Sequence, residues 1–354
     1  MEALLKQIEE IGIIPVVKID RAEDAVSLAK ALCEGGLPCA EVTFRTAAAP
    51  DAIRAMVKAY PEMLVGAGTV LSAEQADAAM DAGARFLVSP GLNPDVVRHC
   101  IDRGYPMVPG VATPSEVEQA IALGLDVVKF FPSETAGGLA MIKAMSAPYT
   151  RIRFMPTGGI NASNLTSYLD NPKIIACGGS WMVNADLIKS GDFDAIRSLT
   201  QQAVEQMLGF SFAHIGINQA DKSACQNSSD NITGLFGFAQ RETSASIFAG
   251  EHLEIMKNMG PGTNGHIGIK TNYLFRAVAY LKRRGVQFKM ESAKYDDNGR
   301  IKFIYLAEEI GGLPFTLFKN NLIRKGCWYY EKSNHIWRDY ASSCARGIHK
   351  VYSG

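Results

Sequence analysis

Short apolar runs alternate with longer amphipathic segments from Ile13 to about Gly209, a pattern that predicts strands joined by crossover helices in a parallel sheet. The runs are IIPVVK ending at Lys18, PCAEVTF at Phe44, MLVGAG at Gly68, RFLVS at Ser89, PMVP at Pro109, DVVKFF at Phe131, IRFMPT at Thr157 and KIIACGG at Gly179. Their number, eight, is that of a closed (β/α)8 TIM barrel, with an open doubly wound sheet as the alternative. Between them, segments such as AEDAVSLAKALCEGG and AEQADAAMDAGA are rich in Ala and Leu and close on Gly, as helices that stop do.

The pattern changes near Phe210, after the helix-like DFDAIRSLTQQAVEQMLG. Polar loops, aromatics and alternating strand-like runs follow. AHIGIN at Ala213 to Asn218 recurs as GHIGIK at Gly265 to Lys270, and each copy leads through a helix-like stretch to a strand ending, GEHLEIMK or GLPFTLFK. That is an internal repeat of about fifty residues. The expected division is a barrel over 1–209, a second domain over 210–325, and a tail over 326–354 whose Trp, Tyr and basic residues show no period.

A chain of 354 residues, 47% of them apolar, can bury one large core or two separate ones. Thirty-six basic residues balance thirty-six acidic ones, which removes any global electrostatic reason to expect nucleic acid or an anionic membrane as partner. A small molecule is the expected ligand. Cys33, Cys39, Cys100, Cys177, Cys225, Cys327 and Cys344 are odd in number and scattered, with no C-x-x-C, and so read as reduced thiols. The opening MEALLKQIEEIG mixes acids into an amphipathic pattern, and no later stretch approaches ~18 uninterrupted apolar residues. A soluble, cytoplasmic protein is expected.

In a barrel, residues at the carboxyl ends of the strands face the active site. Lys129 lies inside DVVKFFP among Val127, Val128, Phe130 and Phe131, where desolvation would leave more of its amine neutral and nucleophilic. The same segment also fits a strand-end lysine whose stem packs while its ammonium reaches water. In AEVTFR, alternation puts Glu41, Thr43 and Arg45 on one face of a strand. There a carboxylate can move protons and a guanidinium can hold a carboxylate, or the three can form a solvated face or an internal ion pair. PTGGI at Pro156 to Ile160 and CGGSW at Cys177 to Trp181 follow the last two runs, where glycine lets backbone N–H groups approach a phosphate.

GLPCAEVTFR, GAGTV, SPG, KFFPSE, PTGGI and GGSW, in this order and spacing, resemble the 2-keto-3-deoxy-6-phosphogluconate (KDPG) and 4-hydroxy-2-oxoglutarate (KHG) aldolases, over essentially residues 1 to 209. The resemblance implies that Lys129 forms a Schiff base, Glu41 is the general acid/base, Arg45 and Thr69 hold the pyruvyl carboxylate, and Thr157 orients substrate. It places phosphate on Gly158, Gly159, Gly179 and Ser180, with Lys18 where the family usually has arginine. This exchange trades a planar fork for a point charge. It further implies pyruvate and a keto-acid substrate, no cofactor for the aldolase, and a homo-oligomer, commonly a trimer. Phosphosugar isomerases or epimerases and a keto-acid sensor share the fold's possibilities, but an isomerase has no need of Lys129.

The two HIGI segments and the two later strand endings resemble the paired βαβββ modules of the glyoxalase and vicinal-oxygen-chelate family over about residues 210 to 320. The resemblance implies a divalent metal between the modules, with His214, Glu254 and His266 as ligands and Thr316 where a second carboxylate is usual. A degenerate module with ordinary strand histidines is the alternative.

Overall fold

The computed structural model describes residues 1–296 and 299–320. The first part is a parallel α/β fold. Its strands are β1 (Ile13–Val17), β2 (Cys39–Thr43), β3 (Leu64–Gly68), β4 (Leu87–Val88), β5 (Met107–Val108), β6 (Gly110–Val111), β7 (Val127–Phe130), β8 (Arg153–Pro156) and β9 (Cys177–Gly179). They pair in the orders β5-β4-β3-β2-β1-β9 and β6-β7-β8. The two sheets meet twice. β5 and β6 are a single apolar run interrupted at Pro109, which has no N–H to give a ladder. At the other end Thr157, just beyond β8, bridges Gly178 of β9.

Each predicted run thus forms a strand, with two corrections. The PMVP run does not stop at Pro109 but resumes as β6, and the strands at Lys18, Phe44, Ser89, Phe131 and Thr157 end one residue earlier than the apolar pattern. The crossover helices start where side chains can take up free backbone N–H groups. Ser72 and Asn93 each accept one, and Thr113 with Glu116 forms a reciprocal capping box. All strands being parallel, their carboxyl ends open on one side.

The second part has β10 (Ser211–Ile217), helix Lys222–Phe236, β11 (Gln240–Glu242), β12 (Ser246–Ala249) and β13 (Leu253–Met256). It continues with β14 (Gly265–Thr271), helix Leu274–Arg283, β15 (Phe288–Tyr295), β16 (Ile301–Ile310) and β17 (Leu313–Lys319). The repeat read in the sequence is therefore a repeat of elements, one strand, one helix and three strands taken twice. The eight strands make one sheet in the order β11-β12-β13-β10-β14-β17-β16-β15, so the two HIGI strands lie side by side and antiparallel at its centre. The tail expected over 326–354 lies outside the described residues.

One continuous buried apolar cluster runs from Leu5 to Leu208 and takes in Tyr273 and Ala277 from the second part. The second sheet has only two small clusters of its own, one around Val278, Ile304 and Leu317 and one around Cys225, Ile247 and Ile255. A sheet with so little private core must lean on a neighbour. It leans on the end of the α/β fold that lies opposite the strand carboxyl ends. Arg276 donates to the carbonyls of Glu9 and Ile175, at 3.0 Å each, and Thr271 donates to that of Leu208. Tyr273 donates its hydroxyl toward Asp170 Oδ1 at 2.8 Å and the Thr166 carbonyl at 3.0 Å.

Removing the Tyr273 hydroxyl leaves these acceptors with one donor fewer in a buried seam. Tyr273→Phe should cost about 1–3 kcal/mol, read as a lower midpoint in urea unfolding, with the strand carboxyl ends untouched. An unchanged midpoint would mean that this seam does not hold the two parts together.

Candidate active site and a second side-chain cluster

The buried pair at the centre of the site joins two strands far apart in sequence. Lys129 Nζ donates to Glu41 Oε1 at 3.1 Å, with the two side chains 6% and 1% exposed. β2 carries Glu41 and β7 carries Lys129, both near the carboxyl ends. A second residue makes the pair possible. A β-carbon built on Gly68, which faces Thr43 in the register, would fall 2.2 Å from Glu41 Oε1. The glycine of GAGTV is therefore the space that the carboxylate occupies. Glu41 Oε2 is buried and has no hydrogen-bond partner among the described residues.

The other predicted residues gather at the same side of the sheet. Thr43 donates its hydroxyl to the Val17 carbonyl at 2.9 Å and accepts from Arg45 Nε at 3.2 Å, so Arg45 is steered from just past β2 back over the strand end. Alternation anticipated the shared side of Glu41, Thr43 and Arg45 but not the burial of all five β2 residues. Thr69 sits directly after β3 with φ of 57°, a left-handed backbone that a β-branched residue adopts only under constraint, at a cost of order 1–3 kcal/mol. Thr157 is buried with its Oγ1 unpartnered among the described residues, and Gly178 makes room for it, since a β-carbon there would fall 2.3 Å from that oxygen.

Gly158 and Gly159 turn the chain with φ of 97° and 83°. The Gly158 carbonyl accepts from Glu134 N at 3.1 Å and the Thr157 carbonyl from Ser133 N at 2.8 Å, which ties this turn to the segment following Lys129. Glu134 in turn accepts a hydrogen bond from the buried Tyr168 hydroxyl, and burial pushes that phenol up to about 12. Gly179 ends β9 and Ser180 is exposed beyond it. Lys18 follows β1, but its amine is paired with Asp20 at 2.8 Å rather than with either glycine turn. The roles of Gly68, Gly178, Glu134 and Tyr168 were not read from the sequence. The GAG and GG motifs held the signal for the two glycines, since a glycine inside a strand marks a close approach.

The second sheet brings His214, Glu254 and His266 together, one ligand atom from each lying within 4.8 Å of the others. His214 Nε2 is 3.1 Å from both Glu254 Oε2 and His266 Nε2. The H-x-G pattern of the repeat explains the arrangement. Register pairs His214 with Gly268 and Gly216 with His266. β-Carbons on Gly268 and Gly216 would fall 2.6 Å and 2.0 Å from the respective rings, so each copy's glycine makes room for the other copy's imidazole. Ser246 donates to Glu254 Oε1 at 2.6 Å, turning Oε2 toward the histidines. Burial pushes both imidazoles below their usual value against the opposing pull of Glu254, and the neutral ring is the form that binds metal. Thr316 is in register with Gly268, but its hydroxyl donates to the Ile304 carbonyl at 3.2 Å.

Gly68→Ala should displace the Glu41 carboxylate and cut turnover at least about tenfold, one pair geometry lost at roughly 1.4 kcal/mol or more, while far-UV circular dichroism is preserved. Wild-type turnover would show that the carboxylate position is not demanding. Because a buried charge without its partner costs about 3–5 kcal/mol, Lys129→Met should lower the unfolding midpoint more than Lys129→Met with Glu41→Leu does. Equal losses would show that the pair is not electrostatically coupled.

Comparison with known proteins places this geometry. The model of the KDPG and KHG aldolase family matches residues 4–199. A 2-dehydro-3-deoxy-phosphogluconate aldolase of Treponema pallidum is 51% identical over 205 residues, which is 58% of this chain and 98% of that protein. A KHG/KDPG aldolase of Escherichia coli K12 is 43% identical over 193 residues, 54% of this chain and 91% of that protein. Among solved structures, KDPG aldolase from Legionella pneumophila, with pyruvate captured as a covalent carbinolamine, is 38% identical with a TM-score of 0.55, covering 56% of this chain and 97% of its own. With the family's model spanning more than half its length, the chain belongs to the KDPG and KHG aldolase family.

Proposed function

We propose that the chain is a class I aldolase, a lyase that cleaves KDPG to pyruvate and glyceraldehyde 3-phosphate, or KHG to pyruvate and glyoxylate. The observation that carries this is the buried contact of Lys129 with Glu41 at the strand carboxyl ends. The Lys129 amine attacks the C2 ketone, and loss of water gives a protonated imine. Glu41 takes the proton of the C4 hydroxyl as the C3–C4 bond breaks, and the bonding pair moves into the imine to leave an enamine. Protonation at C3 and hydrolysis then release pyruvate and free the lysine. The imine is itself the electron sink, so the reaction calls on no metal.

In this reading Arg45 and Thr69 hold the pyruvyl carboxylate. The Arg45–Thr43 contact and the constrained backbone of Thr69 support it. Thr157 orients substrate with its unpartnered hydroxyl, and Gly158, Gly159, Gly179, Ser180 and Lys18 receive the phosphate. Lys18 would exchange Asp20 for the phosphate. The ring of pairings through Pro109 and through Thr157 with Gly178 supports a closed (β/α)8 barrel over 1–209, and the barrels would associate as a trimer. No helix among the described residues is long and apolar enough to cross a membrane, which accords with a cytoplasmic enzyme.

For residues 210–325 the same proposal is a glyoxalase-like domain of paired βαβββ modules, supported by the repeated element order. His214, Glu254 and His266 would hold one divalent ion, a nitrogen, nitrogen and oxygen donor set that suits Zn, Mn, Fe, Co or Ni. Such an ion would supply a Lewis acid. The three atoms converge already, and Ser246 fixes the carboxylate.

Lys129→Ala should abolish cleavage of both substrates with the circular dichroism of the folded protein retained, and measurable turnover would refute the imine. Glu41→Gln should slow turnover by roughly a hundredfold or more. Lys18→Ala should raise KM for KDPG more than for KHG, which carries no phosphate, and equal losses would remove Lys18 from the phosphate site. Purified protein should take up about one divalent ion per chain, lost in His214→Ala with His266→Ala while aldol cleavage continues. Uptake unchanged in that variant would eliminate these ligands.

A further inference from the structure

Arg276 is anomalous. Its guanidinium is 2% exposed, yet it forms no ion pair with a carboxylate among the described residues. It meets the carbonyls of Glu9 and Ile175 and the rings of Tyr273 and Phe275, 4.8 and 4.7 Å from Cζ. A buried cation that no carboxylate touches is expensive, and burial here pushes the group down to about 10 against the weaker opposing pull of Glu9. A second cation, Arg300, is near enough to press in the same direction.

Both arginines line one cavity of about 1050 Å³ that lies between the second sheet and the closed end of the α/β fold. Lys302 stands on the same wall, with the rings of Phe303 and Phe318. Glu9, Asp170, Glu254, Glu291 and Asp296 border the cavity as well, and the first three are committed. Glu9 pairs with Arg153 at 3.3 Å, Asp170 accepts from Tyr273, and Glu254 belongs to the histidine cluster. Arg300 and Lys302 are exposed at the cavity and enter no ion pair among the described residues.

We propose that this cavity is a second small-molecule site, taking a small organic anion whose carboxylate or phosphate oxygens meet Arg276, Arg300 and Lys302. It is distinct from the aldol site, which opens at the other end of the strands. Arg276 makes it a site with two sides, because the guanidinium that faces the anion also holds the backbone of Glu9 and of Ile175, two residues ahead of β9. An anion bound there compensates the buried charge and tightens the seam between the two parts. The site does not rest on a metal ion at His214, Glu254 and His266, although those residues line the same cavity.

The test uses the full chain carrying Lys129→Ala, so that no imine can form, after treatment with EDTA, so that the metal reading is not involved. Succinate and inorganic phosphate are added separately, and amide hydrogen exchange is followed by mass spectrometry over residues 170–176 and 272–278. Slower exchange at both segments with either probe is expected, with loss of that protection in Arg300→Glu with Lys302→Glu, and in the milder Arg300→Gln to a lesser degree. Protection by phosphate alone identifies a phosphate ester as the ligand class, by succinate alone a carboxylate, and by both an oxyanion in general. No protection by either probe at tens of millimolar, or protection undiminished by charge reversal, overturns the proposal. Metal uptake measured on the parent chain can fail without touching this result.

Discussion

A lysine and a glutamate removed from water together set the terms for the rest of the α/β fold. Neither charge tolerates burial alone, so Lys129 on β7 and Glu41 on β2 must reach each other across the inside of the fold. That requirement places demands on residues that do no chemistry themselves. Gly68 has no side chain because the Glu41 carboxylate fills its place, and Gly178 stands in the same relation to Thr157. The parallel sheet supplies what a pair alone cannot, a common side on which the ends of β2, β3, β7, β8 and β9 deliver polar groups from segments far apart in the chain.

The second sheet solves a similar problem by symmetry. Two copies of one strand lie antiparallel at its centre, and the histidine of each copy fits over the glycine of the other. A duplicated H-x-G therefore builds a two-imidazole cluster with no further design, and Glu254 from β13 completes it. The sheet has little apolar core of its own, and its helix Leu274–Arg283 shares the core of the first part. The two parts are thus one packed unit at the seam formed by Tyr273 and Arg276, remote from the aldol chemistry.

Much of this was legible in the sequence because its signals are periodic. Apolar runs marked each strand, and the repeat marked the central pair of the second sheet. Lys129, Glu41 and Arg45 were singled out because strand ends are where a parallel fold puts chemistry, and Thr157 because the family resemblance gave it a role. What stayed hidden depends on contacts between distant segments. Pro109 looked like a stop, although a proline removes only its own N–H and the strand resumes at Gly110. Lys18 looked free for phosphate, and only the fold shows its amine against Asp20. Arg276 was invisible, because an arginine in NYLFRAVAYLKRRG reads as one more charge on a solvated face until a neighbour buries it.

Reduction with borohydride in the presence of pyruvate, followed by peptide mass spectrometry, addresses the Schiff base most directly. A stable reduced pyruvate adduct on Lys129, and on no other lysine, is the predicted result, with the adduct absent when pyruvate is omitted. Active, folded protein that carries no adduct on Lys129 would contradict it.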